Sequence, residues 1–366
     1  MSLRVLVTTD TVGGVWTFAM ELASTLSRAG FDIELATMGG PVSGSQRAQA
    51  ERIPRLRLHE SLYRLEWMEE SWLSVTEAGE WLLDLERRLA PDLIHLNGYV
   101  HAALPWRAPV VVTAHSCVLS WCRAVHGDVA LPAWDRYADE VRRGVQAARI
   151  LAAPTRAMLD EIAIHYGEPA EGRVIPNGRT PHGFTSGTKG RRILTVGRVW
   201  DEAKNILALD RVASDLDWPV LVAGSRRHPD GGTVALRAAK SRGVLGPEEL
   251  ASAYASASIF ALPALYEPFG YAPLEAALSG CALVLGDIPS LREVWGDAAC
   301  FVPPRDERAL LHALRRLIAE PRVRKEYARR ARARAMEYTP ERMTIGYMEA
   351  YRDALEDPLE LLGVRA

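Results

Sequence analysis

The feature that most constrains the fold of this chain is an alternation, repeated twice, between short apolar runs and longer amphipathic segments. The short runs are rich in Val, Ile and Leu, which is typical of strands buried on both faces of a parallel sheet. The segments between them carry apolar residues at helical spacing, as the helices of βαβ units do. The pattern therefore predicts an α/β protein built from parallel sheets.

The first series of predicted strands fills the N-terminal half and comprises RVLVTT, FDIELAT, LIHLN, VVVTAHS, ILAAPT and RVIPN. A polar stretch at 177–192, with four glycines and a proline, then interrupts the pattern and indicates a linker. The second series comprises RILTVGRV, PVLVAGS, SIFALPA, ALVLGDI and CFVPP. Two such series predict two Rossmann-like, doubly wound domains facing each other across a cleft.

The length supports this division, because single hydrophobic cores stop growing near ~250–300 residues and the chain has 366. The predicted N-terminal domain covers 1–180, and the predicted linker covers 181–190. The predicted C-terminal domain covers 191–338, and a C-terminal amphipathic helix occupies the segment 339–366.

The charge balance and the cysteines limit the class of protein. The net charge is −2, with 44 basic and 46 acidic residues, whereas nucleic-acid binders usually show a basic excess. Four cysteines in so long a chain indicate reduced thiols rather than a disulfide framework. There is no leader pattern and no apolar run of about 20 residues. We expect a soluble, cytoplasmic protein that binds no nucleic acid.

One segment, RVRKEYARRARARA at 322–335, is strongly basic. One interpretation is peripheral attachment to anionic lipid. The other is a solvated helix face whose charge is balanced by acids elsewhere, which the near-zero net charge favours.

In open α/β sheets, ligands bind at the carboxyl ends of strands, where loops and helix N-termini present N–H groups. After the first predicted strand come Gly13 and Gly14, which either let an anion approach the backbone or serve a tight turn. After the first strand of the second series come Arg198 and Lys204. This pair can clamp a diphosphate, although such residues are also common surface charges.

His115 ends a predicted strand, which places it either against a ligand or in a buried hydrogen bond. Together with Cys117, Cys122 and His126 it also invites a zinc interpretation. That spacing matches no standard structural zinc pattern, so we predict no metal site.

The stretch LYEPFGYAPLEAALSGCALV places Glu267 and Glu275 around a predicted helix start at Pro273. Phe269 and Gly270, just before it, offer backbone N–H groups to a ligand. Carboxylates accept hydrogen bonds from sugar hydroxyls, so one glutamate can hold a hexose and the other a ribose. A glycosidase acid and nucleophile pair is one alternative, and acids favoured by a helix dipole are another.

Tryptophans in the acidic segment 59–88 include Trp67 and Trp72. Aromatic faces stack on sugars, so these side chains are candidates for binding a carbohydrate acceptor. Core packing of a helix explains their spacing equally well.

Taken together, these motifs resemble those of glycosyltransferase family 4, which comprises retaining nucleotide-sugar transferases of the GT-B fold. The most specific element is EPFGYAPLEAALSGCALV, which is similar to the family's E-x7-E motif with its Phe-Gly. The supporting stretches are TTDTVGGVW, VIPNGR, VGRVWDEAKN, GVLGPEELASAYASASIFALPALYEPFG and LREVWGDAACFVPP. The family's usual Pro-Ser is Pro263-Ala264 here, which leaves the nucleotide base open.

The resemblance implies a role for each matching residue. Glu267 is expected to bind the transferred sugar, with help from N–H groups around Phe269 and Gly270, and Glu275 is expected to bind the ribose.

Arg198 and Lys204 are expected to neutralise the diphosphate, with Gly13 and Gly14 near it, and His115 is expected to lie close to the reacting sugar. The resemblance further implies that the helix at about 340–358 packs back on the first domain.

The function that follows is retaining transfer of a hexose from a nucleotide-diphosphate sugar to an acceptor hydroxyl, of carbohydrate type, without a metal or other cofactor. Two alternatives stay open: a nucleotide-sugar epimerase or hydrolase on the same scaffold, and a non-catalytic nucleotide-sugar-binding protein.

Overall fold

The computed structural model describes residues 2–127, 132–228 and 231–356. The chain divides into two compact units. The first unit comprises Met1–Ser120, Val129–Gly178 and Pro340–Ala366, and the second comprises Trp121–Asp128 and Arg179–Thr339. Each unit is built around one parallel sheet, as the alternating sequence pattern predicts.

The first unit's sheet has, within the described residues, seven strands in the order β3-β2-β1-β4-β5-β6-β7. The strands are β1 (Arg4–Asp10), β2 (Asp32–Met38), β3 (Leu56–Glu60), β4 (Leu93–Leu96), β5 (Val110–Thr113), β6 (Ile150–Ala153) and β7 (Gly172–Val174). All neighbours pair in parallel. The strand order reverses between β1 and β4, and such a switch point is where doubly wound sheets bind ligands.

Helices connect these strands: α1 (Gly14–Arg28), α2 (Gly44–Glu51), α3 (Trp72–Leu89), α4 (Val118–His126), α5 (Asp135–Ala147) and α6 (Arg156–Tyr166). The part of α4 from Trp121 onward belongs to the second unit. Local sequence sets several of their starts. Ser43 and Gln46 form a capping box at the start of α2. The Thr155 hydroxyl accepts from the Met158 N–H at 3.1 Å and caps the start of α6.

The second unit's sheet has six parallel strands among the described residues, in the order β10-β9-β8-β11-β12-β13. They are β8 (Gly190–Val196), β9 (Val220–Ala223), β10 (Lys240–Gly243), β11 (Ala257–Leu262), β12 (Ala282–Gly286) and β13 (Cys300–Val302). The helices are α7 (Ile206–Val212), α8 (Pro247–Ser256), α9 (Tyr271–Leu278), α10 (Pro289–Trp295), α11 (Glu307–Ala319) and α12 (Pro321–Ala335). The switch point lies between β8 and β11.

The core of the second unit covers both faces of its sheet. Along β11, Ile259 and Ala261 belong to one buried apolar cluster, and Phe260 and Leu262 belong to the other. Because successive side chains of a strand point to opposite faces, a strand buried on both sides reads as a continuous apolar run.

The C-terminal helix, α13 (Pro340–Leu355), belongs to the first unit. Its Tyr351 hydroxyl lies 2.6 Å from His95 Nδ1, and its Tyr347 hydroxyl lies 3.0 Å from the Thr113 hydroxyl. Both tyrosines are buried, so apolar packing and internal hydrogen bonds hold the helix on the sheet. The last part of the segment assigned to this helix from sequence, 357–366, lies outside the described residues.

The basic segment 322–335 falls in α12, where acids balance several of its charges. Arg329 and Arg330 both pair with Glu326 at 2.8 Å, and Arg334 pairs with Glu337 at 2.6 Å. These pairs favour the solvated-face interpretation, and contact with anionic lipid stays a prediction. Within the described ranges, none of the helices combines the length and the apolar character that crossing a membrane requires.

Candidate active site

The switch point of the second unit gathers the loops that follow β8 and β11. The first loop carries Arg198 and Lys204, and the second carries Glu267 and leads into α9. The Leu265 N–H donates to the Ala203 carbonyl at 2.8 Å, which ties the two loops together. Neighbouring parallel strands end at the same edge of a sheet, and this explains why residues 63 positions apart meet here.

Lys204 and Glu267 form an ion pair. Lys204 Nζ donates to Glu267 Oε2 at 2.8 Å, and the two side chains are only 19% and 13% exposed. A charge-assisted hydrogen bond in such partial burial is stronger than its surface counterpart. The pair places a cation and a sugar-binding carboxylate side by side.

Arg198 is held by an acid that sequence reasoning missed. Its Nη2 donates to Asp201 Oδ2 at 2.7 Å, and its guanidinium carbon lies 5.1 Å from the centre of the Trp200 ring. Asp201 Oδ1 accepts from the Trp121 indole at 3.1 Å. The available signal was the pair of acids, Asp201 and Glu202, between the two bases in RVWDEAK.

Asp201 is ionised under neutral conditions. The side chain is 5% exposed, and burial by itself raises its pKa. The positive charges of Lys204 and Arg198 outweigh burial and hold the pKa below its ordinary value. The loop after β8 therefore carries an acid locked between two cations.

Glu275 lies inside α9 and pairs with a residue from another part of the unit. Arg179 Nε donates to Glu275 Oε1 at 2.8 Å. The Arg179 N–H also donates to the Tyr338 carbonyl at 3.0 Å. Arg179 is the last residue of VIPNGR, and its side chain joins the predicted site residues through this contact. Glu275 thus has a cationic partner in addition to its expected role at a ribose.

The start of α9 depends on Gly270, whose φ is +94°. A Cβ at this position would lie 2.7 Å from Pro273 Cγ, so both the conformation and the crowding require glycine. The Phe269 side chain is buried, with its ring centre 5.4 Å from that of Tyr338. Phe269 can therefore meet a ligand only through its main chain.

In the first unit, the loop after β1 leaves empty space beside Gly13. Its φ of −144° is accessible to any residue, and no atom lies within 4 Å of a Cβ built there. The need for a tight turn thus does not explain Gly13, whereas a close ligand approach would use the space. The Val12 and Gly13 N–H groups already donate to Asp10 Oδ1, at 3.1 and 3.0 Å.

His115 follows β5, and its side chain contacts Asn97 at the end of the neighbouring strand β4. Its Nε2 lies 2.7 Å from Asn97 Oδ1, and Phe18 meets its ring edge-on at 4.5 Å between centres. Removal from water lowers the pKa of His115 to about 3, so the imidazole is neutral at physiological pH.

The four residues of the zinc interpretation are not gathered into one site. Cys117 Sγ lies 2.8 Å from the Ser120 hydroxyl, and the His126 ring packs against Trp121 at 5.3 Å between centres. Across the described side chains, His, Cys, Asp and Glu nowhere come together in a group of three or more suited to a metal ion.

The two candidate acceptor tryptophans differ in their surroundings. Trp67 is 37% exposed. Trp72 is the first residue of α3, and the Arg136 guanidinium carbon lies 4.7 Å from the centre of its ring. Trp67 therefore offers a face to a ligand, whereas part of the Trp72 face is taken by a cation–π contact.

The predicted site residues fall into two groups. The second unit brings together Arg198, Lys204, Glu267 and the Phe269–Gly270 main chain, with Glu275 in the helix that follows. The first unit holds Gly13, Gly14, His115, Trp67 and Trp72.

Comparison with protein families matches both units. Residues 12–181 match the family model described as Glycosyltransferase Family 4, and residues 190–320 match the one described as Glycosyl transferases group 1. The chain belongs to glycosyltransferase family 4.

Curated relatives carry the names of glycosyltransferases. A glycogen synthase of Mycobacterium tuberculosis is 29% identical over 69% of this chain and 66% of its own length. The chain thus spans just under two thirds of that relative. A D-inositol 3-phosphate glycosyltransferase of Kineococcus radiotolerans is 27% identical over 95% of this chain and 92% of the relative.

Solved structures confirm the predicted GT-B fold class. Sucrose-phosphate synthase from Thermosynechococcus elongatus gives a TM-score of 0.80 at 18% identity and covers 99% of this chain and 100% of that one. HepE from Anabaena, solved with UDP-glucose, gives 0.73 at 14% identity and covers 96% and 99%. At these identities the likeness concerns the fold alone.

Proposed function

We propose that this family-4 protein is a retaining glycosyltransferase. It moves a hexose from a nucleotide-diphosphate sugar to a hydroxyl of a carbohydrate-type acceptor, without a catalytic metal. The observation that carries the proposal is the convergence of Arg198, Lys204 and Glu267 at the neighbouring strand ends of β8 and β11.

The chemistry follows from charge. Breaking the bond between the sugar and the diphosphate builds negative charge on the departing group, and fixed cations stabilise that charge. Arg198 and Lys204 are such cations, each already held by a carboxylate. A bound diphosphate takes Lys204 as a partner and leaves Glu267 to accept hydrogen bonds from the sugar hydroxyls.

His115 adds a neutral polar group to this scheme. Because its pKa lies near 3, it can hydrogen-bond a sugar hydroxyl without carrying a positive charge of its own. Attack from the front face, with retention, is what membership in family 4 implies for this chain.

The known relatives support a sugar or sugar derivative as the acceptor. Their printed names include a glycogen synthase and a D-inositol 3-phosphate glycosyltransferase. A cytoplasmic location and the lack of a nucleic-acid partner remain predictions from the charge balance and the cysteine content.

A titration of the purified protein with UDP, GDP and ADP, and with their glucose and mannose derivatives, tests the donor site. It is run with and without EDTA. Lys204→Ala is expected to weaken binding about 10- to 100-fold, since a charge-assisted bond contributes roughly 1.5–3 kcal/mol. Lys325→Ala, an exposed lysine of α12 in the same unit, is the matched control.

Metal-independent binding of one nucleotide, weakened to this extent in Lys204→Ala and unchanged in Lys325→Ala, supports the proposal and names the donor base. Binding to none of them overturns it. NMR of the product's anomeric configuration then tests retention. Epimerisation or release of free sugar without an acceptor would favour the epimerase or hydrolase instead.

A further inference from the structure

The ends of β4 and β5 place an asparagine beside His115. The two strands are neighbours, with Leu96 opposite Val112 in the register. Asn97 follows the first and His115 lies two residues beyond the end of the second, so their side chains meet at the same edge of the sheet. The distance from His115 Nε2 to Asn97 Oδ1 is 2.7 Å.

The orientation of the Asn97 amide is fixed from its other side. Asn97 Nδ2 donates to the Thr8 carbonyl at 2.6 Å. A carbonyl can only accept, so the NH₂ group must face Thr8 and the amide oxygen must face His115. The Asn97 N–H also donates to the Thr8 hydroxyl at 2.9 Å, which holds the main chain in place.

The amide oxygen decides where the imidazole proton lies. Oδ1 cannot donate, so a hydrogen bond to His115 requires a proton on Nε2. The ring carries one proton, because its pKa lies near 3. Nδ1 is therefore left with a lone pair and can only accept.

Packing limits rotation of the ring. Phe18 meets it edge-on at 4.5 Å between ring centres, and Phe18 is itself fully buried. Phe18 also contacts Tyr347 of α13 at 5.5 Å. Rotation of the ring would thus have to displace a side chain that is part of the core.

We propose that Asn97 is a positioning residue that fixes His115 in the Nε2-protonated tautomer and presents Nδ1 as an acceptor. Its role in turnover rests on the proposed function, in which His115 lies at the reacting sugar. A hydroxyl of the ligand then donates to Nδ1, and a ligand group that can only accept is rejected there.

The tautomer is read directly from the ¹⁵N chemical shifts of histidine-labelled protein, without any substrate. His115 is assigned by comparison with His115→Gln. In the wild type we expect a protonated Nε2 and an unprotonated Nδ1, unchanged between pH 8 and pH 5. A proton on Nδ1 in the wild type overturns the proposal.

Two variants separate the amide's role from general loosening. Asn97→Ala is expected to give a mixture of tautomers. Thr8→Val removes only the hydroxyl that holds the Asn97 main chain and is expected to keep the wild-type signals. An unchanged tautomer in Asn97→Ala, or a changed one in Thr8→Val, contradicts the proposal.

Turnover gives a second readout. Misplacement of a group at the reacting sugar lowers kcat by up to about 100-fold, so Asn97→Ala should lower kcat more than it raises the KM for the donor. If the wild type shows the expected tautomer but no transfer with any donor, the proposed function fails while the tautomer assignment stands.

Discussion

Arg179 Nε donates to Glu275 Oε1 at 2.8 Å, and these two side chains are only 23% and 11% exposed. The pair connects Arg179, which follows Asn177 and Gly178, to α9, the helix expected to face the nucleotide. Removing one partner of a largely buried ion pair leaves the other charge uncompensated, which costs more than the pair contributes.

We therefore expect Arg179→Met to destabilise the protein by about 2 kcal/mol. The melting temperature should fall by a few degrees and the KM for the donor should rise, because Glu275 loses its cationic partner. Differential scanning calorimetry and initial-rate kinetics measure the two effects. Arg191→Met changes an exposed arginine of β8 and serves as the control. Equal melting temperatures for the two variants would show that the pair is not stabilising.

Asp201 makes stability depend on pH. Its pKa is lower in the folded protein than its ordinary value of 3.8, so the folded state favours the ionised form. The resulting stability is fully present above the unfolded pKa and is lost as the pH falls through the folded pKa. Asp201→Asn should cost roughly 1–3 kcal/mol at pH 7 and progressively less below pH 4.

Urea unfolding between pH 7 and pH 3 measures this difference. Asp217→Asn, at an exposed position of the same unit, should cost little at any pH. A deficit for Asp201→Asn that persists undiminished at pH 3 would mean that shape, rather than charge, makes the contribution.

The sequence predicts the part of the site that depends on local pattern. Arg198, Lys204 and Glu267 each follow a strand recognisable as an apolar run, and parallel strands deliver their carboxyl ends to one edge. The partners of these residues were not predictable in this way. Trp121 reaches Asp201 across 80 residues, and Arg179 reaches Glu275 across 96. Such pairs depend on tertiary packing, which cannot be inferred from the spacing of residues along the sequence.

Asn97 is an intermediate case. Its place after a predicted strand was visible in the sequence, and His115 lies only 18 residues further on. The orientation of its amide is set by the Thr8 carbonyl, 89 residues away, which accepts a hydrogen bond from Asn97 Nδ2. Its importance therefore follows from hydrogen-bond geometry rather than from residue type.

Two glycines test different demands on the backbone. Gly270→Ala should destabilise the protein by about 1–3 kcal/mol, because φ is +94° and the added methyl meets Pro273 at 2.7 Å.

Gly13→Ala should leave the melting temperature unchanged, since nothing lies within 4 Å of the new methyl. If the donor uses that space, the same substitution should weaken its binding about tenfold. Thermal melts and donor titrations distinguish the two variants, and full donor affinity in Gly13→Ala would exclude a close approach at this loop.

Trp67 and Trp72 are the two candidates for contact with a carbohydrate acceptor. Trp67 is 37% exposed, so Trp67→Ala should raise the KM for a carbohydrate acceptor roughly 2- to 10-fold, as the loss of one stacking contact predicts. Donor KM and melting temperature should stay the same. Trp72→Ala should instead lower stability by about 0.5–1 kcal/mol, because it removes the ring under Arg136. Acceptor kinetics and thermal melts on both variants check this division. An unchanged acceptor KM in Trp67→Ala would show that the Trp67 side chain does not contact the acceptor.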